Sequence, residues 1–277
     1  MEEVNRKMNF QNSKRILKKD WKTTVKSKEI LLTMTLLPIV FTIGLPIMMI
    51  LGVLFDPQSF IQEYPGADLL VTLLNIPPSY NIYLIAAEVM IKLMILPFFL
   101  FIPTMLPAII AADSFAGEKE RKTMESVALL PISKTELILG KVLVSLVPSI
   151  LISFACFAGM GAIVNLMLIN HLDGNILIFT DITFLLTVFL MSPLLAMVDI
   201  ILAVMVSSRS KDLKSAQSIA GVLIVPAMAV LFVQMFNPAF LSPLMVIIIS
   251  GVLGGLCILL IDVANRVLDI ERLVLTL

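Results

Sequence analysis

The sequence predicts an all-α polytopic membrane protein: six transmembrane helices behind an N-terminal interfacial amphipathic helix, with both termini cytoplasmic. Three observations predict it. Hydrophobic residues make up 59% of the 277 and charged residues only 14%, with a mean hydropathy of +1.03, whereas a soluble chain carries about a quarter charged residues. Six apolar stretches reach the roughly 20 residues that a spanning helix needs. Nineteen of the twenty Lys and Arg residues fall on one side of a six-span layout, as the bias of cytoplasmic loops toward basic residues requires.

The leader, residues 1–29, carries nine of those basic residues. At 100° per residue, Phe10, Leu17, Trp21 and Val25 share one face, and Arg15, Lys19, Lys22 and Lys26 lie opposite. That pattern suits a helix lying on anionic lipid with the only tryptophan as its apolar wedge. The first apolar run begins near Ile30 and is too long for a signal-peptide core, so an uncleaved anchor is expected.

The spans are expected at about 30–55, 83–112, 136–170, 182–207, 218–236 and 243–263, which together make a six-helix unit over 30–277. The connections are an external loop at 56–82, a charged cytoplasmic loop at 113–135, a short loop at 171–181, a basic loop at 208–217 and a tight turn at 237–242. The basic residues outside the leader sit at 119, 121, 122, 134 and 141, then at 209, 211 and 214, then at 266 and 272, and the twentieth, Lys92, falls within the second span. Five or seven spans would break that alternation. Tyr64, Tyr80 and Tyr83 fall on the outer side, where an amphipathic ring suits the headgroup layer.

Two helix starts are legible. Ser133 with Glu136 forms a capping box, and Ile132 with Leu137 supplies its hydrophobic staple. Ser242 followed by Pro243 reads as an N-cap with proline in the first helical position. Prolines recur inside the spans, at 38, 46, 97, 103, 107, 148, 193 and 226. Each removes a helix hydrogen bond and favours a kink, which serves motion or static shape equally well. Small residues at Gly159, Gly161, Gly251 and Gly255 permit close helix contact.

Charged groups inside hydrocarbon cost roughly 2.5–3.5 kcal/mol, so they are either paired or functional. Glu88 and Lys92, spaced i,i+4 near the outer end of the second span, read as a self-satisfied ion pair or as the lining of an outer vestibule. Asp199 in the fourth span either meets a basic residue near the inner surface or touches a cation. Asn165, Asn170 and Gln234 are candidates for interhelical hydrogen bonds. With Glu88, Lys92 and Asp199, Asn165 and Gln234 complete the set of candidate pathway residues. Cys156 and Cys257 sit in apolar runs, and two such residues build neither a disulfide framework nor a zinc site. One histidine, His171, excludes a His-rich metal centre and the zinc-protease helix, and no metal site is expected.

The most informative segment is 113–143, DSFAGEKERKTMESVALLPISKTELILGKVL. It alternates charge and holds no catalytic constellation. Gly117-Glu118-Lys119-Glu120-Arg121, Thr123-Met124-Glu125, Pro131 and Gly140-Lys141 closely resemble the signature of the ABC-2 type transporter permeases. The stretch SRSKDLKSAQSIAGVLIVP, from Ser208, resembles that family's second conserved segment. Lys122 stands where glycine is common, Met124 replaces leucine, and the large external domain of some members is missing. The resemblance implies the membrane subunit of an ATP-driven exporter, working as a dimer with a second copy or a homologous permease. Two ABC ATPase subunits would complete the complex and hold the ATP and Mg. It also implies that Gly117, Glu118, Lys119, Glu120, Arg121, Lys122, Met124 and Glu125 form a coupling helix seated in an ATPase cleft. Arg209, Lys211 and Lys214 would make a second cytoplasmic contact.

No cofactor is expected on this chain and no nucleic acid as partner. Gly140-Lys141 lacks the glycine-rich loop that a nucleotide site needs ahead of its lysine, so the chain is not read as an enzyme. Membrane lipid is the remaining partner, and the expected location is the cell (plasma) membrane. The scarcity of intramembrane charge favours a lipid, peptide or hydrophobic drug as cargo. An ATP-independent secondary transporter or channel is the alternative; it calls for intramembrane ion-binding groups and often an internal repeat. An intramembrane enzyme is a third reading, and the serine, aspartyl and zinc-protease arrangements it needs are missing.

Overall fold

A computed structural model describes residues 36, 38–62, 67–120, 134–210 and 213–267. The described residues are helical, joined by turns. The leader with Phe10, Leu17, Trp21 and Val25 lies outside them. So do Arg121, Lys122, Met124, Glu125, Lys211 and the capping residue Ser133.

The first expected span appears as a π-helical turn, Val40–Gly44, running into α1, Leu45–Phe55. The loop expected at 56–82 holds two short helices, α2 (Pro57–Gln62) and α3 (Ala67–Leu73). The second span is α4 (Ile82–Met90), a π turn (Ile91–Ile95), α5 (Leu96–Phe99) and α6 (Phe101–Glu120). It continues past its expected end at 112, so that residues 113–120 extend the span's own helix. The third is α7, Lys134–Met167. The fourth is α8 (Ile182–Leu186), a π turn (Thr187–Met191) and α9 (Ser192–Arg209). The fifth is not one helix. α10 (Leu213–Ala220) and α11 (Val225–Phe236) are separated by a 3-10 turn, Gly221–Ile224. The last is α12, Pro243–Val267, which starts at the proline as expected, with the Ser242 carbonyl accepting from Val246 N–H.

The three π turns share one cause. Each ends two residues before a proline: Pro46, Pro97 and Pro193. A proline ring crowds the carbonyl four residues back. In each case the residue just before the proline bonds five residues back instead: Leu45 to Val40, Leu96 to Ile91 and Ser192 to Thr187. The extra residue in the turn absorbs the proline without breaking the rod.

Among the described residues four helices are long and apolar enough to cross a membrane: Ile82–Met105, Leu139–Met167, Ile182–Ser208 and Pro243–Ala264. Val40–Phe55 and Val225–Phe236 are apolar but shorter. In the second span 83% of the most apolar window is buried, against 17% in the last, so the second and fourth spans form the centre. α9 packs most extensively on α6 and also touches α7, α10 and α12. The core joins Leu84, Ile91 and Phe99 to Phe157, Phe184 and Met191. Phe157 stacks on Phe184 and meets Phe179 and Phe189 edge-on. The outward face of α12 shows Leu244, Ile247, Val252, Ile258 and Leu259. A continuous apolar face of that kind is stable against hydrocarbon and not against water.

Gly161 on α7 faces the Phe179 ring, and a Cβ added there would overlap the ring, well inside van der Waals contact. Gly161→Ala is therefore expected to push the ring off Phe157 and destabilise the protein by about 1–3 kcal/mol. Gly159→Ala, with open space around it, is expected to be neutral or slightly stabilising. Thermal unfolding of the two variants in detergent checks the contrast.

Candidate functional site

The helices alternate in direction, so loops 75–81, 171–181 and 237–242 meet at one end of the bundle. Asn81 clasps two of its segments. Its Oδ1 caps α4 by accepting from Leu84 N–H, and its Nδ2 donates to the His171 carbonyl and to Asp173 Oδ2, both at 2.7 Å. Tyr83 stacks on the His171 ring at 4.0 Å. Asn165 holds the same loop from α7, donating to the Leu177 carbonyl and accepting from Leu177 N–H. These bonds and the Phe179–Phe157 contact hold Ile178 at φ 68°, a strained value for a buried β-branched residue.

Beneath this clasp lies a charged cluster. Lys92 Nζ is 3.2 Å from Glu88 Oε2, 2.9 Å from Asp181 Oδ2 and 3.0 Å from the Leu74 carbonyl. All three charged side chains are nearly buried. Asp181 has a second task as N-cap of α8, where its Oδ1 accepts from Phe184 N–H at 2.8 Å. The pair expected at Glu88 and Lys92 is therefore a triad, in which Lys92 also meets Asp181 and the Leu74 carbonyl. Asp181 was legible as a helix cap, an acidic residue just ahead of an apolar run, but nothing local marks it as a partner of Lys92.

Gln234 joins from α11. Its Nε2 donates to the Lys92 carbonyl at 3.2 Å and to the Pro238 carbonyl at 2.9 Å, and its Oε1 accepts from Leu241 N–H at 2.9 Å. Glu88, Lys92, Asp181 and Gln234 together line a cavity of about 370 Å³. Tyr80 lines it too. Burial pushes its phenol above the ordinary value, with the Glu88 charge adding to the effect and Lys92 opposing it, so it stays a neutral hydrogen-bonding group.

The other candidates lie elsewhere. Asn165 serves the loop rather than the cavity. Asp199 is buried on α9 beside Thr104 and Cys257, and its Oδ2 receives no hydrogen bond. Among the described residues it meets no basic partner.

At the opposite end, the two motif segments converge. Gly117–Glu120 form the last turn of α6, where Gly117 is buried. One residue earlier, Ala116 N–H donates to Ser207 Oγ on α9 at 2.9 Å. α10 carries the exposed Lys214 and the buried Ala216, and packs against both α6 and α9. Arg209 is the last residue of α9. Gly140 and Lys141 are buried within α7.

A bundle of antiparallel apolar helices with its charged segments gathered at one end and an ion cluster near the other is an integral membrane protein. The family model described as ABC-2 family transporter protein matches residues 15–264, and the chain belongs to that family. It is thus a membrane component of the ABC transporters, a class that works with ABC ATPase subunits. No curated protein matches the chain.

Proposed function

We propose that this chain is the permease half of an ATP-driven exporter in the plasma membrane, with six spans and both ends in the cytoplasm. Two permeases, identical or homologous, would pair and engage two ATPase subunits that bind ATP and Mg. The 113–135 loop would take the force, through Gly117, Glu118, Lys119, Glu120, Arg121, Lys122, Met124 and Glu125. Arg209, Lys211 and Lys214 would supply the second contact. The leader would lie on anionic lipid through Phe10, Leu17, Trp21 and Val25. Glu88, Lys92 and Gln234 would line the outer part of the path of a hydrophobic or amphipathic cargo, with Asp199 and Asn165 supporting the helices around it.

The observation that carries this reading is the continuity of the second span. From Lys92 to Glu120 the chain runs as one nearly unbroken rod, on the order of 40 Å at 1.5 Å per residue. Its far end is tied to α9 and α10. Displacing the Glu120 end would move the helix that carries Glu88 and Lys92, without any long flexible element between.

Replacing Glu120 and Arg121 together with alanine tests it. The expected result is loss of ATPase co-purification and at least about a tenfold fall in permease-stimulated ATP hydrolysis, roughly 1.4 kcal/mol of coupling. Unchanged assembly and coupling would overturn the assignment of this segment. Transport that persists after ATP depletion would favour a secondary transporter or channel instead.

A further inference from the structure

Among the residues that line the cavity, three are charged: Glu88, Lys92 and Asp181. Ionised, they sum to minus one. An ammonium has three N–H donors and a carboxylate about four acceptor sites. Asp181 Oδ2 and the Leu74 carbonyl take two donors of Lys92, and Glu88 Oε2 faces the third. Lys92 is therefore surrounded by acceptors of the chain itself, two carboxylates and a carbonyl, and its charge is more than balanced before any ligand enters. The carboxylates do have capacity left. Glu88 is only 6% exposed, and its Oε2 is close to Lys92 yet receives no aligned hydrogen bond.

The remaining lining divides by polarity. Tyr80, Thr180 and Thr183, each with a hydroxyl that can accept a hydrogen bond, are among the lining residues. Leu73, Leu74 and Leu241 supply an apolar wall. The volume, about 370 Å³, is at the lower end of the range for small-molecule sites. A cavity with surplus acceptors, no free cation of its own and an apolar side is shaped for an amphipathic cation.

We propose that this cavity binds an organic ammonium ion, its charged head on Glu88 and Asp181 and its hydrocarbon part against Leu73, Leu74 and Leu241. A free alkylamine and an amine-headed lipid present the same chemistry. The inference deepens the reading of the cavity as part of a cargo path. It does not depend on ATP coupling, because binding is measured on the permease alone; its failure leaves the coupling experiment untouched, and the reverse also holds.

The probe is n-hexylammonium chloride, titrated calorimetrically into the purified full-length protein in detergent. Saturable binding is expected, with hexanol, hexanoate and potassium chloride giving none. Asp181→Asn retains one carbonyl oxygen, which can keep the helix cap, while its NH2 takes the place of the oxygen that faces Lys92; it removes one charge and one acceptor, and it is expected to weaken binding at least tenfold. Glu88→Gln is expected to do the same; should that variant not fold, Asp181→Asn decides alone. Competition by dihexanoyl phosphatidylethanolamine would support the proposal with a lipid as the source, and saturable binding without competition would support it with a free amine. Equal binding of hexanol would reduce the cavity to an apolar cleft and overturn the proposal. Equal binding of potassium, or hexylammonium binding indifferent to Asp181→Asn, would overturn it as well.

Discussion

Lys92→Met is expected to destabilise the protein more than any other single change considered. Methionine matches the length of the lysine stem but carries no charge. Its introduction would leave Glu88 and Asp181 facing each other in a nearly buried cluster, with the Leu74 carbonyl lacking its donor. Breaking a buried ion pair by removing one partner costs about 3–5 kcal/mol, because the remaining charge is left unpaired. The double variant Lys92→Met with Glu88→Gln is expected to recover part of that loss, since Asp181 keeps its bond from Phe184 N–H. Thermal unfolding in detergent measures both. A Lys92→Met protein as stable as the parent, or a double variant no better than the single one, would show that the triad is not an energetic unit.

Gln234→Leu is the second large effect. Gln234 is 1% exposed and makes three hydrogen bonds, two to carbonyls and one to an amide. Leucine fits the space but answers none of them. A buried group left unsatisfied costs about 1–3 kcal/mol, and Leu241 N–H alone meets that condition. The turn at 237–242 would also lose its tie to Lys92. Lower thermal stability, together with faster hydrogen exchange at the Leu241 amide, is the expected result. Slow exchange at Leu241 in the variant would mean that another group holds the turn.

These two residues show how far the sequence carries. Gln234 was marked as an interhelical hydrogen-bonder, and it bonds across to the second span as well as to its own turn. Glu88 and Lys92 were marked as a pair by their i,i+4 spacing, a one-turn relation that any helix enforces. Asp181 was missed because its tie to Lys92 comes from the fourth span docking on the second, and no short-range pattern records such a docking. Asp199 has two readings open, a basic partner or a cation, and a bonded basic partner is missing among the described residues.

Helix boundaries divide in the same way. Ser242–Pro243 marked the start of the last helix correctly, because an N-cap and a proline act within four residues. The charged segment from 113 is expected as a loop carrying a short helix from Gly117, with the second span ending at 112, where charge begins. Helix geometry does not stop at charge, and α6 continues to Glu120. Of the prolines expected to favour kinks, Pro107 and Pro148 lie inside continuous helices, while Pro46, Pro97 and Pro193 each follow a π turn. That turn lets the rod continue.

What the chain determined by itself was the solvent it lives in, the family and the approximate places where it turns. Those follow from hydropathy, charge placement and short motifs, all of them properties of neighbouring residues. The tertiary structure alone decided that the second and fourth spans are central, that the fifth is split by a 3-10 turn, and that three loops close over a cavity containing Glu88, Lys92, Asp181 and Gln234. The reason is physical: nearly every span is apolar on all sides, so hydrophobic pattern cannot say which face meets which, and only the packed bundle brings distant polar groups within hydrogen-bond reach.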